Sequence, residues 1–389
     1  MTRRAAIVVL DGLGIGAAHD SDTYGDGGSD TLGNTLRAGG PVSLPNLEAL
    51  GLGRCAELPG VTAVEAPTAA WGTCQPAGAG KDSTTGHWEL CGLTLTRPFP
   101  TYPEGFPAEV ISEFSRRTGR GVLGNRAASG TQILDALAIE HQQSGAWIVY
   151  TSADSVFQVA AHEEVVPLGE LYAACRAARD ILQPPHGVSR VIARPFVGTP
   201  GAWKRTAHRK DFSSPPPGPT LLDRLAERHV PRLGVGKVDD LFAGRNIVSI
   251  HAATNAEGYA LVRHALGTLA RGLILANILE FDQSWGHRND VPGFIAGLAE
   301  LDRTLPELLA RVRDEDLVIF TADHGNDPTT PSTDHSRERV PLLVYGPGVR
   351  PVSLGERATF ADIGQTVAEF LGAAPLDTGR SFLAEVWRG

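Results

Sequence analysis

Residues 316–325 read DLVIFTADHG, an uninterrupted aliphatic and aromatic run that stops at an aspartate and a histidine. A run this short and this apolar, without polar alternation, suits a strand buried on both faces of a largely parallel sheet. Three further stretches share the pattern: AAIVVLD (5–11), LILANILEFD (273–282) and PLLVYGPG (341–348). Between them lie segments such as GFIAGLAELDRTLPELLARVRDE (293–315), whose apolar residues recur three and four apart, as on one face of a helix. Strand alternating with helix predicts an α/β core: a mostly parallel central sheet with helices on both faces.

The stretch 98–216 interrupts that alternation. It opens on the proline-rich RPFPTYPEGFP (97–107) and closes on DFSSPPPGPT (211–220), and stiff segments of this kind serve as boundaries between folded units. Inside, GTQILDALAIEHQQSG (130–145) and LGELYAACRAARDIL (168–182) read as helices, AWIVYTSAD (146–154) and SRVIARPFVG (189–198) as strands. The expected organisation is therefore a discontinuous core domain, 1–97 with 217–389, carrying an inserted α+β cap at 98–216.

A chain of 389 residues, 42% of them hydrophobic, has enough apolar surface for two cores. Its net charge of −9 argues against nonspecific nucleic-acid binding, which draws its affinity from basic surface, so an anionic ligand must meet a local basic site or a metal. Cys55, Cys74, Cys91 and Cys175 lack C-x-x-C spacing and read as reduced thiols. No run approaches the roughly 18 uncharged apolar residues of a membrane span. A cytoplasmic location is expected, with neither membrane nor nucleic acid as partner. Four lysines, at 81, 204, 210 and 237, stand among 35 basic residues, and this scarcity alone carries little functional meaning.

Three of the expected strands end in aspartates: Asp11, Asp282 and Asp323. Ligands of open α/β sheets bind beyond the carboxyl ends of strands, so these carboxylates are expected to converge there. Converging anions need cations, and His287, His324 and His335 lie close in sequence. Three carboxylates and three imidazoles suffice for two divalent ions, with the mixed oxygen and nitrogen donors that manganese or zinc accepts. Such a pair could activate a hydroxyl and stabilise a phosphoryl group in transfer. GKDSTTGHWEL (80–90) offers Ser83, Thr84 and Thr85. It is not a P-loop, because Gln75 stands where the first glycine belongs and Asp82 follows the lysine. The upstream CQPAG (74–78) lacks the arginine of the sulfatase C-x-P-x-R pattern. These eleven residues alone fit a nucleophile loop or a polar helix cap equally well.

VLDGLGIG (9–16), GKDSTTGHWE, LEFDQSWGHRND (279–290) and TADHGNDPTTPSTDH (321–335) together resemble the alkaline phosphatase superfamily and, within it, the phosphopentomutases. The resemblance continues through YTSADSVFQVAAHEE and RVIARPFVGTPGAWKRTAHRKDF in the cap. It implies an alkaline-phosphatase-like core, with one metal on Asp11, Asp323 and His324 and the other on Asp282, His287 and His335. It implies Thr85 as the nucleophile, with His87, Lys81 and Asp82 in support. Ser152, Asp154, Arg194 and Arg209 match substrate-binding positions, while Lys204 and Lys210 add positive field. The implied reaction interconverts α-D-ribose 1-phosphate and ribose 5-phosphate, and the deoxyribose pair, through a phosphothreonine that a closing cap shields from water. Mn(2+) is the expected metal and glucose 1,6-bisphosphate the expected primer. Glu280 stands where the family commonly has aspartate. A metal-dependent phosphatase or a related phosphosugar mutase is the nearest alternative, and a catalytically silent sugar-phosphate binding protein is a further one. Nothing in the sequence addresses the oligomeric state.

Overall fold

The computed structural model describes residues 2–152 and 155–388. The chain divides into two compact units, Met1–Pro98 with Pro216–Gly389, and Phe99–Pro215.

The first unit is built on an eight-stranded sheet. From one edge its order is Ser249–Ile250, Arg232–Val235, Gly272–Ile278, Arg4–Leu10, Asp316–Thr321, Val340–Tyr345, Ala70–Cys74 and Ser353–Arg357. The three strands at its centre, Gly272–Ile278, Arg4–Leu10 and Asp316–Thr321, are parallel and buried along their whole length. Burial at every position means that both faces are covered, which is why these strands read as unbroken apolar runs instead of alternating ones. Helices supply the cover. Asn255–Thr268, Val291–Leu309, Thr31–Gly39 and Pro45–Leu50 pack as one group, Ser83–Leu90, Ala361–Phe370 and Leu221–Glu227 as another. At the amino end of the sheet the fully buried Arg4 is paired with Asp316.

Strand Val340–Tyr345 departs from the parallel expectation. It runs antiparallel to both Asp316–Thr321 and Ala70–Cys74. A parallel return requires a crossover, usually helical, back to the other end of the sheet. The connection 322–339 contains no helix, so the chain turns back where it emerged. The whole segment from Ala322 to Arg339 is thereby kept at the carboxyl end of the neighbouring strands.

The second unit, Phe99–Pro215, has its own sheet, in the order Val122–Ala127, Trp147–Thr151, Val156–His162, Arg190–Val197 and Lys204–Arg205, with Lys210–Ser213 also paired to Arg190–Val197. Alternate residues of Trp147–Thr151 face two separate cores. Trp147 and Val149 pack with Phe114 and Leu171 of the helices Ala108–Thr118 and Leu168–Ile181; Ile148 and Tyr150 pack with Ile133 and Leu134 of Gly130–Ser144. Strand Val156–His162 was not visible as a separate element in the sequence, because VFQVAAH merges with the polar residues around it.

Candidate active site

Register brings the strand-end carboxylates to one level. Leu10 pairs with Ile278, and Val9 with Thr321, so Asp11 and Asp323 leave the sheet side by side. Asp282 follows four residues after its strand, in the short helical turn Phe281–Trp285. The turn at Gly12 is left-handed (φ +79°), and a Cβ there would press on Asn326 and Asp282, so a glycine lets these loops close together.

Two groups of potential metal ligands result, and they share Asp282. Asp282, His287 and His335 form one, Asp11, Asp282 and His324 the other. His335 Nε2 lies 3.1 Å from Asp282 Oδ1 and His287 Nε2 lies 3.5 Å from Oδ2. The His324 ring stands 4.2 Å, centre to centre, from that of His335. His324 Nε2 is 3.3 Å from Asp11 Oδ1 and 3.5 Å from Asp323 Oδ2. Asp323 stands slightly apart: its Oδ1 accepts from Gly12 N at 3.1 Å. Behind the ligands, His287 Nδ1 lies 2.7 Å from the Thr333 carbonyl oxygen, and Asn326 donates to Asp282 Oδ1 at 2.8 Å. Such contacts hold a ligand's orientation.

Two hydroxyls of the helix Ser83–Leu90 lie by this cluster: Thr85, which the resemblance implies as nucleophile, lines a cavity with Lys81, Asp323, His324 and Arg337, and Ser83 touches the ligands directly. Ser83 Oγ donates to Asp11 Oδ1 at 3.2 Å and lies 3.1 Å from His324 Nε2. Thr85 Oγ1 instead turns back on the helix cap, 2.9 Å from the Asp82 carbonyl and 3.0 Å from Asp82 Oδ2. The cause is helical geometry. Asp82 caps Ser83–Leu90 by accepting from the amides of Thr84 and Thr85, and two residues along a helix turn a side chain more than half-way round the axis. His87, one turn beyond Ser83, stays on its face, with Nδ1 2.9 Å from the Ser83 carbonyl oxygen and 3.0 Å from Asp323 Oδ2. Gly86 allows the helix to lie against the Asp323 backbone, which a Cβ would strike.

Sequence reasoning also missed Lys237, which the fold delivers from the end of strand Arg232–Val235 to 2.7 Å from Asp11 Oδ2. Burial works against its charge, but Asp11, Asp282 and Asp323 outweigh burial and raise its pKa. Burial likewise opposes the charge of Asp11 and Asp282. Lys237 and His324 nevertheless hold Asp11 well below the usual carboxylate range, and His335 and His287 do the same for Asp282. Against burial, Asp323, Asp11 and Asp282 raise His324 to about 10. Without metal, the cluster thus keeps Asp11 and Asp282 ionised by borrowing a lysine and imidazoles.

The donor set fits divalent ions. Asp323 Oδ2 and His335 Nε2 are buried among other ligand-type atoms, His87 Nδ1 at 3.0 Å and Asp282 Oδ1 at 3.1 Å, and such a packed set of carboxylate and imidazole donors is one that a cation completes. The remaining expected residues lie in the second unit. Arg194 is half-buried there, its Nε donating to Gln158 Oε1 at 3.0 Å, and burial followed by the neighbouring Arg209 lowers its pKa to about 10. Arg209 forms a bidentate pair with Asp211 at 2.7–2.8 Å. Ser152 is half-buried at the end of its strand, and Asp154 lies outside the described residues. Glu280 turns away from the metal ligands: its Oε2 accepts from Asn255 N at 2.6 Å, at the start of helix Asn255–Thr268.

An α/β core with carboxylates and imidazoles gathered beyond its parallel strands defines an alkaline-phosphatase-like metalloenzyme. A family model for the metalloenzyme superfamily matches residues 229–375. A solved protein structure from Pyrococcus horikoshii shares the fold, with TM-score 0.50 and 15% identity over 96% of this chain and 98% of that one. The chain is 56% identical to a phosphopentomutase of Anaeromyxobacter dehalogenans (strain 2CP-1) over the full length of both, and 52% identical to one of Dictyoglomus thermophilum over 100% of this chain and 99% of that protein. It belongs to the phosphopentomutase family. It is accordingly an isomerase that works by intramolecular phosphoryl transfer. Among the described residues no helix is long and apolar enough to cross a membrane.

Proposed function

We propose that the protein interconverts α-D-ribose 1-phosphate and D-ribose 5-phosphate, and the 2-deoxyribose pair, through a phosphoenzyme formed on Thr85. The observation that carries this reading is the cavity that Thr85 lines together with Lys81, Asp323 and His324. Full-length similarity to phosphopentomutases supports the substrate class.

Asp282, His287 and His335 would hold one divalent ion and Asp11, Asp323 and His324 the other, with Mn(2+) suited to the mixed oxygen and nitrogen donors. When bound, such ions favour the alkoxide of a coordinated hydroxyl and neutralise charge on a phosphoryl group in transfer. Thr85 takes up the phosphoryl group in the first turn of its helix, where the helix dipole favours an anion. Lys237 adds a positive charge on the far side of Asp11. Phosphorylated Thr85 donates to the free hydroxyl of the pentose phosphate, giving a bisphosphate, and recovers a phosphoryl group from its other end. Glucose 1,6-bisphosphate fits the role of primer, because it can phosphorylate Thr85 and leave as a monophosphate. Arg194 and Arg209 supply planar, bidentate donors for phosphate oxygens. A cap that keeps water from phosphothreonine separates a mutase from a phosphatase.

The test is to incubate manganese-loaded protein with ribose 5-phosphate and glucose 1,6-bisphosphate. Ribose 1-phosphate is the expected product. Stoichiometric inorganic phosphate with no ribose 1-phosphate would mark a phosphatase and sink the proposal.

A further inference from the structure

The connection 322–339 carries His324 on its outgoing arm and His335 on its return, and without helix it keeps its shape only through individual contacts. The two arms meet in an isolated antiparallel bridge, where Gly325 N donates to Ser336 O at 3.0 Å and Ser336 N to Gly325 O at 2.7 Å. Against that bridge lies the carboxylate of Glu338, which is 1% exposed. A Cβ on Gly325 or on Gly14 would strike it, so two glycines make the room it occupies. Four donors converge on its two oxygens. Oε1 accepts from the hydroxyls of Thr31 and Ser336, both at 2.7 Å, and Oε2 from the amides of Thr31 at 2.9 Å and Gly16 at 3.3 Å.

The Thr31 contact leads back to the metal ligands. Thr31 opens the helix Thr31–Gly39 and is fully buried. Its Oγ1 accepts from Asn326 N at 2.9 Å. A backbone amide can only donate, so the Thr31 hydroxyl sends its own proton to Glu338, and the direction of the chain is fixed. The Asn326 side chain is wedged between Gly12 and Gly286, where a Cβ on either would press on it, and its Nδ2 donates to Asp282 Oδ1 at 2.8 Å. The next residue is tied to the same helix start: Asp327 Oδ2 accepts from Asp30 N at 3.1 Å and from Asn34 Nδ2 at 2.6 Å.

We propose that Glu338 and Thr31 are positioning residues for the metal centre: through Asn326 they set the Asp282 carboxylate for the ion on Asp282, His287 and His335. This rests on the reading of those three residues as ligands of one ion. A carboxylate is needed because both of its oxygens accept. Glutamine would have to turn its NH₂ towards two backbone amides, which also donate, or towards the two hydroxyls, where it competes with Asn326 N for the Thr31 oxygen.

The experiment measures Mn(2+) binding isotherms of the wild type, Glu338→Gln, Thr31→Val and Thr31→Ser, counting free Mn(2+) by electron paramagnetic resonance. Anomalous diffraction at the manganese edge assigns each ion to its ligands, and circular dichroism of the metal-free proteins establishes that each variant folds. Loss of a contact behind a metal ligand typically costs about 10–100-fold in affinity. Glu338→Gln and Thr31→Val are therefore expected to weaken the ion on Asp282, His287 and His335 by at least about tenfold, and the other ion by less than about threefold. Thr31→Ser keeps the hydroxyl and should bind both ions within about threefold of wild type. The proposal is overturned if folded Glu338→Gln and Thr31→Val bind that ion within about threefold of wild type, if both ions weaken equally, as general loosening would make them, or if Thr31→Ser loses as much as Thr31→Val. Should neither Glu338→Gln nor Thr31→Val fold, Ser336→Ala decides, since it removes one donor of the four: a selective loss of about threefold at the same ion upholds the proposal, and an unchanged affinity refutes it. Manganese found away from Asp282, His287 and His335 in the wild type would refute the ligand assignment, independently of any result at Glu338 or Thr31.

Discussion

Replacing Thr85 by valine removes the hydroxyl proposed to carry the phosphoryl group, while replacing Ser83 by alanine removes one that touches Asp11 and His324. The two changes should differ by orders of magnitude. Without its acceptor the phosphoenzyme route is closed, and Thr85→Val is expected to lose at least about 10⁴-fold in kcat/KM, roughly 5.5 kcal/mol of barrier. Thr85 has a single hydroxyl proton, so its two contacts with Asp82 are alternatives, and losing them costs about 1–2 kcal/mol of stability. Valine keeps the methyl packing, and the Thr85 amide still bonds to Asp82 Oδ1 at 3.1 Å, so the variant should stay folded. Ser83→Ala loses a hydrogen bond to a charged group, about 1.5–3 kcal/mol, and should stay within about a hundredfold of wild-type activity. Each variant is primed with glucose 1,6-bisphosphate, quenched in acid, and examined by intact mass and by peptide fragmentation that separates position 83 from 85. Phosphate on Thr85 of the wild type and of Ser83→Ala, and none on Thr85→Val, is the expected result. Phosphate found on Ser83, or a Ser83→Ala enzyme as inactive as Thr85→Val, would refute the assignment.

Metal binding should release protons, because His324, raised to about 10 in the metal-free cluster, must be neutral to act as a ligand. Apparent Mn(2+) affinity should therefore strengthen as pH rises from 6 to 8, by roughly tenfold per unit for one proton, with proton release read from calorimetry in buffers of different ionisation enthalpy. Lys237→Met should destabilise the metal-free protein by about 3 kcal/mol, because it leaves Asp11 buried without its 2.7 Å partner, and should matter less once metal is bound; chemical denaturation with and without Mn(2+) tests this. Burial pushes Glu338 up to about 7, against hydrogen bonds from Ser336, Thr31 and Gly16. A carboxyl raised above its unfolded value stabilises the fold below the unfolded pKa, and that contribution is lost as pH climbs through the folded one. Wild-type stability should thus fall by up to about 3 kcal/mol relative to Glu338→Gln between pH 4.5 and 8, as measured by urea unfolding. Arg194→Ala should raise KM for pentose phosphate about tenfold with metal content unchanged; lost metal would contradict its assignment to phosphate.

The central strands were legible because they are buried on both faces, and such burial leaves a continuous apolar run that ends where the chain meets polar surroundings. The aspartates at those ends, and the histidines soon after, could likewise be picked out as a set without coordinates. Periodicity marked Gly130–Ser144 and Leu168–Ile181 for the same reason: an amphipathic helix writes its buried face into the spacing of its apolar residues.

Other features depended on relations between distant segments. The direction of Val340–Tyr345 is not encoded in its own apolar residues, which would suit either sense; it follows from a helix-free connection, and it is what keeps His335 and Arg337 beside the carboxylates. Lys237 looked like one of four scattered lysines until strand Arg232–Val235 took its place next to Gly272–Ile278 and set the ammonium against Asp11. Sequence by itself determined the class of fold and the chemical types gathered at its strand ends, because burial and helical period are local patterns. Only the tertiary structure decided which of those groups meet and what balances their charge, because that depends on the register of the strands Gly272–Ile278, Arg4–Leu10 and Asp316–Thr321 and on a lysine delivered from another strand.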